Sequence, residues 1–587
     1  MIVPMKKISV LVRVKDADSC VAGLRSLGVL HVEHQRTPSG KNISALLEDL
    51  VLINRAIAIL SEIEFRSQHS CEDKAPHDWR FTAGHIIDIR KRIEQLLEYS
   101  RNLKNNISQW QAWGDFKPEE VNDLNRKNIF IRLYKIPVKE IKNISKGIII
   151  KKIKVSGGIA YCIAISREKL ELPFKEAALP KMGLKKMQEK LKEDQALLES
   201  IKKEVKKHNC YLKAFLEKRK LLEKELEFYQ ARNGMAEAGE IVYLAGFAPY
   251  DTVNKLVEAA KKEHWGILVS EPSENDRVPT LIRYPRWVSI IKPIFKIIEV
   301  VPGYRELDIS LWFLIFFSIF FGMLIGDAAY GAIFFILTFL AQKKWQRKLK
   351  DKAIFNLFYI LSLFAIIWGV LSGTFFGQAW LPGWVRPLVP ALRDSLKVQS
   401  FCFFLGALHL SIAHVWRGIV KLPSLRALAE AGWIFILWTA FLLARTLILG
   451  DNFPGFGLWL LITGAALVLF FTNPRKNIIK GISHGLGNLL LNLVSNFTDI
   501  VSYIRLFAVG LATVAVADSF NKMAMEVGFG SIAAGILTAF ILLLGHSLNI
   551  LLGPMSILVH GVRLNVLEFC NHLDIKWSGF SYQPFRE

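Results

Sequence analysis

The spacing of apolar residues changes twice along this chain. Residues 5 to 35 read strand, helix, strand, with Gly28 where the helix would end. Two tracts, about 44 to 110 and 176 to 232, then place apolar side chains at helical intervals with Lys and Glu between them; a polar break at 68 to 78 interrupts the first. Strand-like runs between the tracts predict a small lobe from about 120 to 172, and strand, helix, strand returns after the second tract in IVYLAGFAPY, DTVNKLVEAAKKEH and WGILVSEPS. Neither helical tract can bury its apolar stripe alone. They are expected to pack antiparallel as a coiled-coil stalk, giving an α+β dumbbell with a lobe at each end.

From Ile309 onward the runs approach or exceed the roughly 20 residues that cross a bilayer. About eight spans are predicted, near 309 to 325, 327 to 341, 353 to 373, 398 to 416, 429 to 449, 456 to 472, 484 to 521 and 530 to 571. The division is therefore a soluble domain, 1–300, and an α-helical multispanning membrane domain, 301–587. The last two spans hold nearly 40 residues, roughly 55 to 60 Å of helix, about twice the hydrocarbon thickness, so they must tilt or bend. Gly485, Gly487, Gly545 and Gly553 with Pro554 are the expected bending points.

Composition changes this picture only in part. The net charge of +23 suits a membrane protein that keeps Lys and Arg in its cytoplasmic loops, here QKKWQRKLKDK, WRGIVKLPSLR and NPRKNIIK, and nucleic-acid binding is not needed to explain it. MIVPMKKISVLVRVKDADSC has no secretory pattern, and an even number of spans returns the C-terminus to the side of the N-terminus; both are expected in the cytoplasm. The six cysteines form no CxxC pair, which speaks against a cysteine zinc site or a disulfide framework.

The candidate chemistry lies in the last two spans. Ser495, Thr498, Ser502, Arg505, Ala508, Ala512, Ala515 and Ser519 share one helical face, small and polar around a single arginine. An arginine deep in a membrane helix costs about 2.5 to 3.5 kcal/mol on insertion scales and does not deprotonate, so it must face a partner or water. Asn549, Gly553, Ser556, His560 and Arg563 fall near one face of the final span, and Glu568 follows about a turn and a half later. Two buried arginines on adjacent over-long helices, with Asp327, His409, His414, Glu430, Asp499, Asp518 and His546 at other depths, point to an ion path.

SYIRLFAVGLA around Arg505, LVHGVRLNVLEF around Arg563 and the ending GFSYQPF, with FFGMLIGDAAYG at 320 to 331 and DRVPTLIRYPRW at 276 to 287, resemble the prokaryotic membrane subunit of V-type and A-type rotary ATPases, called subunit I or subunit a. The resemblance spans nearly the whole chain. It implies a stator lying against a rotor ring of small membrane subunits that each carry a carboxylate. Arg505 matches the family's essential arginine, Arg563 the second arginine, and Glu568 a nearby carboxylate. Asp499, Ser502, His546, Asn549, Ser556, His560, His409 and Glu430 would line half-channels for H+ or Na+.

The resemblance also implies peripheral stalk subunits at the N-terminal lobes, the soluble ATPase head beyond them, and a place in the prokaryotic cell (inner) membrane. The chain departs from some members of the family at Thr513, where they have a histidine, and at Gly553, where they have a glutamate. No GxxxxGK[ST] phosphate loop occurs, so nucleotide chemistry is expected on another chain, and no cofactor or metal on this one. A secondary transporter and a membrane-anchored coiled-coil tether are the alternatives. The first would show paired repeats with interrupted helices, and the second leaves the arginines without a task.

Overall fold

A computed structural model describes residues 1–62, 75–143, 148–168, 172–345, 352–377, 387–472 and 478–586. Most of the expected polar break at 68 to 78 and parts of two basic loops, 346–351 and 473–477, lie outside them. The chain forms two compact units: residues 1–9, 29–31 and 246–584, and residues 10–28, 32–245 and 585–587.

In chain order the first part comprises β1 (Met5–Arg13), α1 (Ala17–Leu27), β2 (His31–Glu33), α2 (Lys41–Ser61), α3 (Trp79–Trp110), α4 (Pro118–Arg126), β3 (Phe130–Pro137), β4 (Ile149–Ser156), β5 (Ile159–Ser166), α5 (Leu184–His208), α6 (Leu212–Asn233), β6 (Ala236–Ala238), β7 (Ile241–Pro249), α7 (Val253–Lys262) and β8 (Gly266–Ser270). Gly28 ends α1 with a left-handed φ of 62°, as expected from the sequence. The first sheet has strand order β2, β7, β1, β8 with β6 paired to β7. The second, β3–β5–β4, is antiparallel, with Tyr134 opposite Cys162.

Each expected helical tract is two helices. Ile53, Ile57 and Leu60 of α2, Ile86, Ile89 and Ile93 of α3, Ile201 and Val205 of α5, and Phe215 and Leu222 of α6 share one core. The pairs run antiparallel: Asn233 at the end of α6 donates to Ser39 O just before α2, at 2.9 Å, and Asp115 beyond α3 accepts from Lys185 N at the start of α5, at 3.1 Å. Asp78 caps α3 through the amides of Arg80 and Phe81, while the Arg80 guanidinium grips Asp49 of α2 at 2.8 and 2.6 Å.

The second part continues with α8 (Lys292–Ile298), α9 (Ser310–Ile325), α10 (Ala328–Trp345), α11 (Ala353–Ser372), α12 (Ser395–Lys421), α13 (Arg426–Ala444), α14 (Phe456–Phe471), α15 (Ile478–Ser502), α16 (Ile504–Val527), α17 (Ile532–Ser556) and α18 (Phe569–Leu573). All eight apolar segments are helical where described. Among the described residues five helices reach spanning length and hydropathy, against the eight expected: 353–372, 395–421, 426–449, 489–527 and 532–573. The first two predicted spans are one pair, α9 and α10, bent by 119°. α14 has 16 residues, about 24 Å of rise, short of the roughly 30 Å core.

The bend has a local cause. Gly326 takes φ 67°, and the buried Asp327 carboxylate accepts from Ala329 N, Tyr330 N and, across the fold, Gly377 N at 2.8 Å. Asp327 therefore caps α10. Small residues let helices meet closely: a Cβ on Gly510 would stand 2.5 Å from Met323 O, bringing α16 against α9.

Candidate functional site

The long helix carrying Arg505 is broken just before it. Tyr503 separates α15 from α16, with i to i+3 bonds on both sides (Tyr503 N to Ile500 O, 3.1 Å; Leu506 N to Tyr503 O, 3.0 Å). The expected glycines do not make this break. Buried Tyr503 anchors it, its hydroxyl 2.8 Å from His409 Nδ1. The histidine lies between the rings of Phe316 (3.8 Å) and Phe569 (4.3 Å).

The final helix changes pitch at 557–561 and 564–568, two π-helical turns on either side of Arg563. In an α-helix a residue five positions on points about 140° away; the i to i+5 pattern of a π turn brings it nearly in line. Arg563 Nε is accordingly 3.3 Å from Glu568 Oε1. Arg505 Nη1 approaches the same oxygen at 3.9 Å. Glu568 is buried, Arg505 is 23% exposed at its side chain, and Arg563 is 51% exposed. Two cations thus share one buried carboxylate, and among the described residues neither Arg505 Nη1 nor Glu568 Oε2 has a hydrogen-bond partner.

A second group extends from the end of α15. Asp499 Oδ2 meets His572 Nε2 at 3.2 Å, His572 Nδ1 meets His414 Nε2 at 2.9 Å, and His414 Nδ1 meets Glu430 Oε2 at 2.7 Å. The other Glu430 oxygen holds Lys421 and, at 3.4 Å, Arg417. Arg417 also donates to His572 O. His414, Glu430 and His572 are buried, so this is a continuous polar chain through packed helices α12, α13, α15 and α18.

A third group joins α10, α16 and α17. Tyr330 Oη is 2.7 Å from His546 Nδ1 and accepts from Asn549 Nδ2 at 3.1 Å; the same amide donates to Thr513 O at 3.0 Å. Thr513, the departure from some members of the family, donates to Val509 O in its own helix.

The sequence-selected residues therefore separate. Arg505, Arg563 and Glu568 come together; Asp499 and Glu430 end the second chain; His546 and Asn549 share the third. Half-buried His560 sits one turn before Arg563, within electrostatic reach of both arginines. Ser502 donates to Thr498 O inside α15, and Ser556 lies half-buried at the end of α17. His409 belongs with Tyr503, in none of the three groups. Sequence reasoning missed His572, Tyr330, Tyr503, Arg417 and Lys421; His572 lies one residue past the assumed end of the last span, and Tyr330 inside the recognised GDAAYG motif. The face around Arg505 is open within this chain, with Ser495, Thr498, Ala508, Ala512, Ala515 and Ser519 all exposed.

No family model matches the chain. It is 32% identical to V-type ATP synthase subunit I of Borreliella burgdorferi and 28% identical to V-type ATP synthase subunit I 1 of Treponema pallidum, each over the full length of both chains. It is 25% identical to A-type ATP synthase subunit I of Methanocaldococcus jannaschii, over 69% of this chain and 64% of that one. Among solved structures, the cytoplasmic N-terminal domain of subunit I, homolog of subunit a, of V-ATPase aligns with 45% of this chain and 99% of that one, at 15% identity and a TM-score of 0.23, too weak a likeness to carry an argument. End-to-end identity at this level, with helices apolar enough to span a membrane, places the chain in the subunit I family of V-type and A-type ATP synthases.

Proposed function

We propose that this subunit is the stationary, ion-conducting side of the rotary motor, with Arg505 meeting the carboxylate of each passing rotor subunit. The observation that carries the reading is the arginine pair on Glu568 beside an exposed stripe of small side chains on α16. A partly buried guanidinium with an unsatisfied nitrogen favours the ionised form of an approaching carboxylate, and its fixed charge opposes ion leakage past it. Alanine and serine leave a smooth surface along which rotor helices can slide.

The polar chain from Asp499 to Glu430 and the group of Tyr330, His546 and Asn549 supply two separate routes for the half-channels, with His560, Ser502 and Ser556 near the arginines. Two directly bonded imidazoles relay a proton without space for a sodium ion between them, which supports H+ as the transported ion. Residues 1–300 form the cytoplasmic part, a stalk with stalk-subunit contacts at its lobes and an indirect connection to the ATPase head, and 301–587 form the part in the cell membrane. Nucleotide hydrolysis takes place on other chains, and this one needs no cofactor. The C-terminal tail pairs with residue 280 (Thr280 N to Phe580 O, 2.8 Å), and Tyr582 donates to Val29 O; this supports both termini on the cytoplasmic side.

The test is Arg505→Ala and Arg505→Lys in the reconstituted complex. Both should assemble and both should lose ATP-driven ion uptake, the lysine because it can release its proton and lacks the planar fork. Full uptake by the lysine variant would overturn the assignment.

A further inference from the structure

Away from the arginine site, the packed pair α3 and α5 carries a cluster that the rotary reading does not use. His85 of α3 faces Glu204 and His208 of α5, and the latter two, four residues apart, project from one helix face. The ligand atoms of the three side chains lie within 4.8 Å of one another, and His85 Nε2 is 3.4 Å from Glu204 Oε1. Metal bonds of about 2.0 to 2.2 Å in tetrahedral arrangement put ligand atoms roughly 3.3 to 3.5 Å apart. One edge of such a site is already at its length, and the others close by small side-chain rotations.

We infer that His85, Glu204 and His208 bind a divalent transition-metal ion, Zn2+ by preference, as a three-ligand site with a fourth position open to solvent. Packing does not account for the cluster: His85 and Glu204 are 44% and 49% exposed at their side chains, and neither belongs to the core of the helix pair. The rings are nonetheless oriented. His85 stacks on Phe81, His208 on Tyr211, and the two imidazoles meet edge to face at 5.7 Å.

Two nitrogens and a carboxylate oxygen suit Zn2+, Co2+ or Ni2+ better than Mg2+ or Ca2+. Lysines 202, 203, 206 and 207 on the same helix lower the local affinity for cations, so the site should exchange its metal readily. A bound ion would clip α3 to α5 beside the Asn209–Tyr211 turn, where the chain passes from α5 into α6.

The experiment uses the full chain, purified in detergent and stripped with a chelator, and does not depend on ion transport. Zn2+ titrated against a chromogenic competitor should give one saturable equivalent, and Co2+ should give the intense visible absorption of a four-coordinate site. His85→Ala, Glu204→Gln and His208→Ala should each weaken Zn2+ at least about tenfold, since even outer-shell losses reach that size. His85→Ala combined with His208→Ala should abolish that equivalent while circular dichroism stays unchanged. Zn2+ should raise the thermal midpoint of the wild type and not of the double variant. A wild type that binds no more Zn2+ than the double variant overturns the site, whatever becomes of Arg505.

Discussion

Removing the charge of Glu568 while keeping its shape tests whether this carboxylate positions Arg505 for the rotor. At an effective dielectric constant of about 20, unit charges 3.3 to 3.9 Å apart attract by roughly 4 to 5 kcal/mol each. Most of that offsets the desolvation of a buried carboxylate, and water screens the half-exposed Arg563, so Arg505 bears the larger part of the loss. Glu568→Gln retains a carbonyl acceptor for Arg563 and removes the ionic attraction on Arg505, a pairwise loss of about 1.5 to 3 kcal/mol. If half or more of that loss appears as misplacement of Arg505, ion uptake falls about 3- to 150-fold, because 1.4 kcal/mol is a factor of ten.

The assay is ATP-driven uptake into proteoliposomes, normalised to intact complex on native gels. In an Arg563→Gln background the added effect of Glu568→Gln should shrink, since one of the two cations is then absent; coupling within such a contact runs about 0.5 to 3 kcal/mol. Wild-type uptake by Glu568→Gln, or strictly additive effects of the two substitutions, would refute the positioning argument.

Ala512→Trp places a knob on the exposed face of α16 and should abolish uptake in assembled complex, whereas Ile462→Trp on exposed α14 should be tolerated; equal uptake would mean that the rotor does not pass this face. His414→Leu cuts the polar chain at its middle and should slow ion transport at least about 100-fold if the chain carries protons; unchanged transport removes it from the path. Gly510→Ala would set a methyl 2.5 Å from Met323 O and should lower stability by about 1 to 3 kcal/mol, read as a reduced thermal midpoint in detergent; a neutral effect would refute that helix contact. Burial raises the Cys20 thiol to about 12, so it stays protonated at pH 8, and iodoacetamide should modify half-buried Cys210 before Cys20; mass spectrometry showing equal rates for the two would mean that α1 does not shield Cys20.

The sequence determined whatever depends on neighbours along one helix or strand. Apolar run lengths located every membrane-half helix, Gly28 marked the end of α1, and a step of three to four residues placed Arg505 among the small side chains that α16 leaves exposed. Only the tertiary structure decided what depends on departures from ideal pitch or on residues far apart in the chain. The two π-helical turns carry Glu568 round to Arg563, which the 3.6-residue period turns away from it. Asp327 and Gly326 fold two expected spans into one bent pair, and Tyr503 breaks a helix that contains no proline or glycine at that point. His572 joins His414 across 158 positions and His85 meets Glu204 across 119; no periodicity encodes such pairs, because side chains so far apart in sequence become neighbours only when the helices pack.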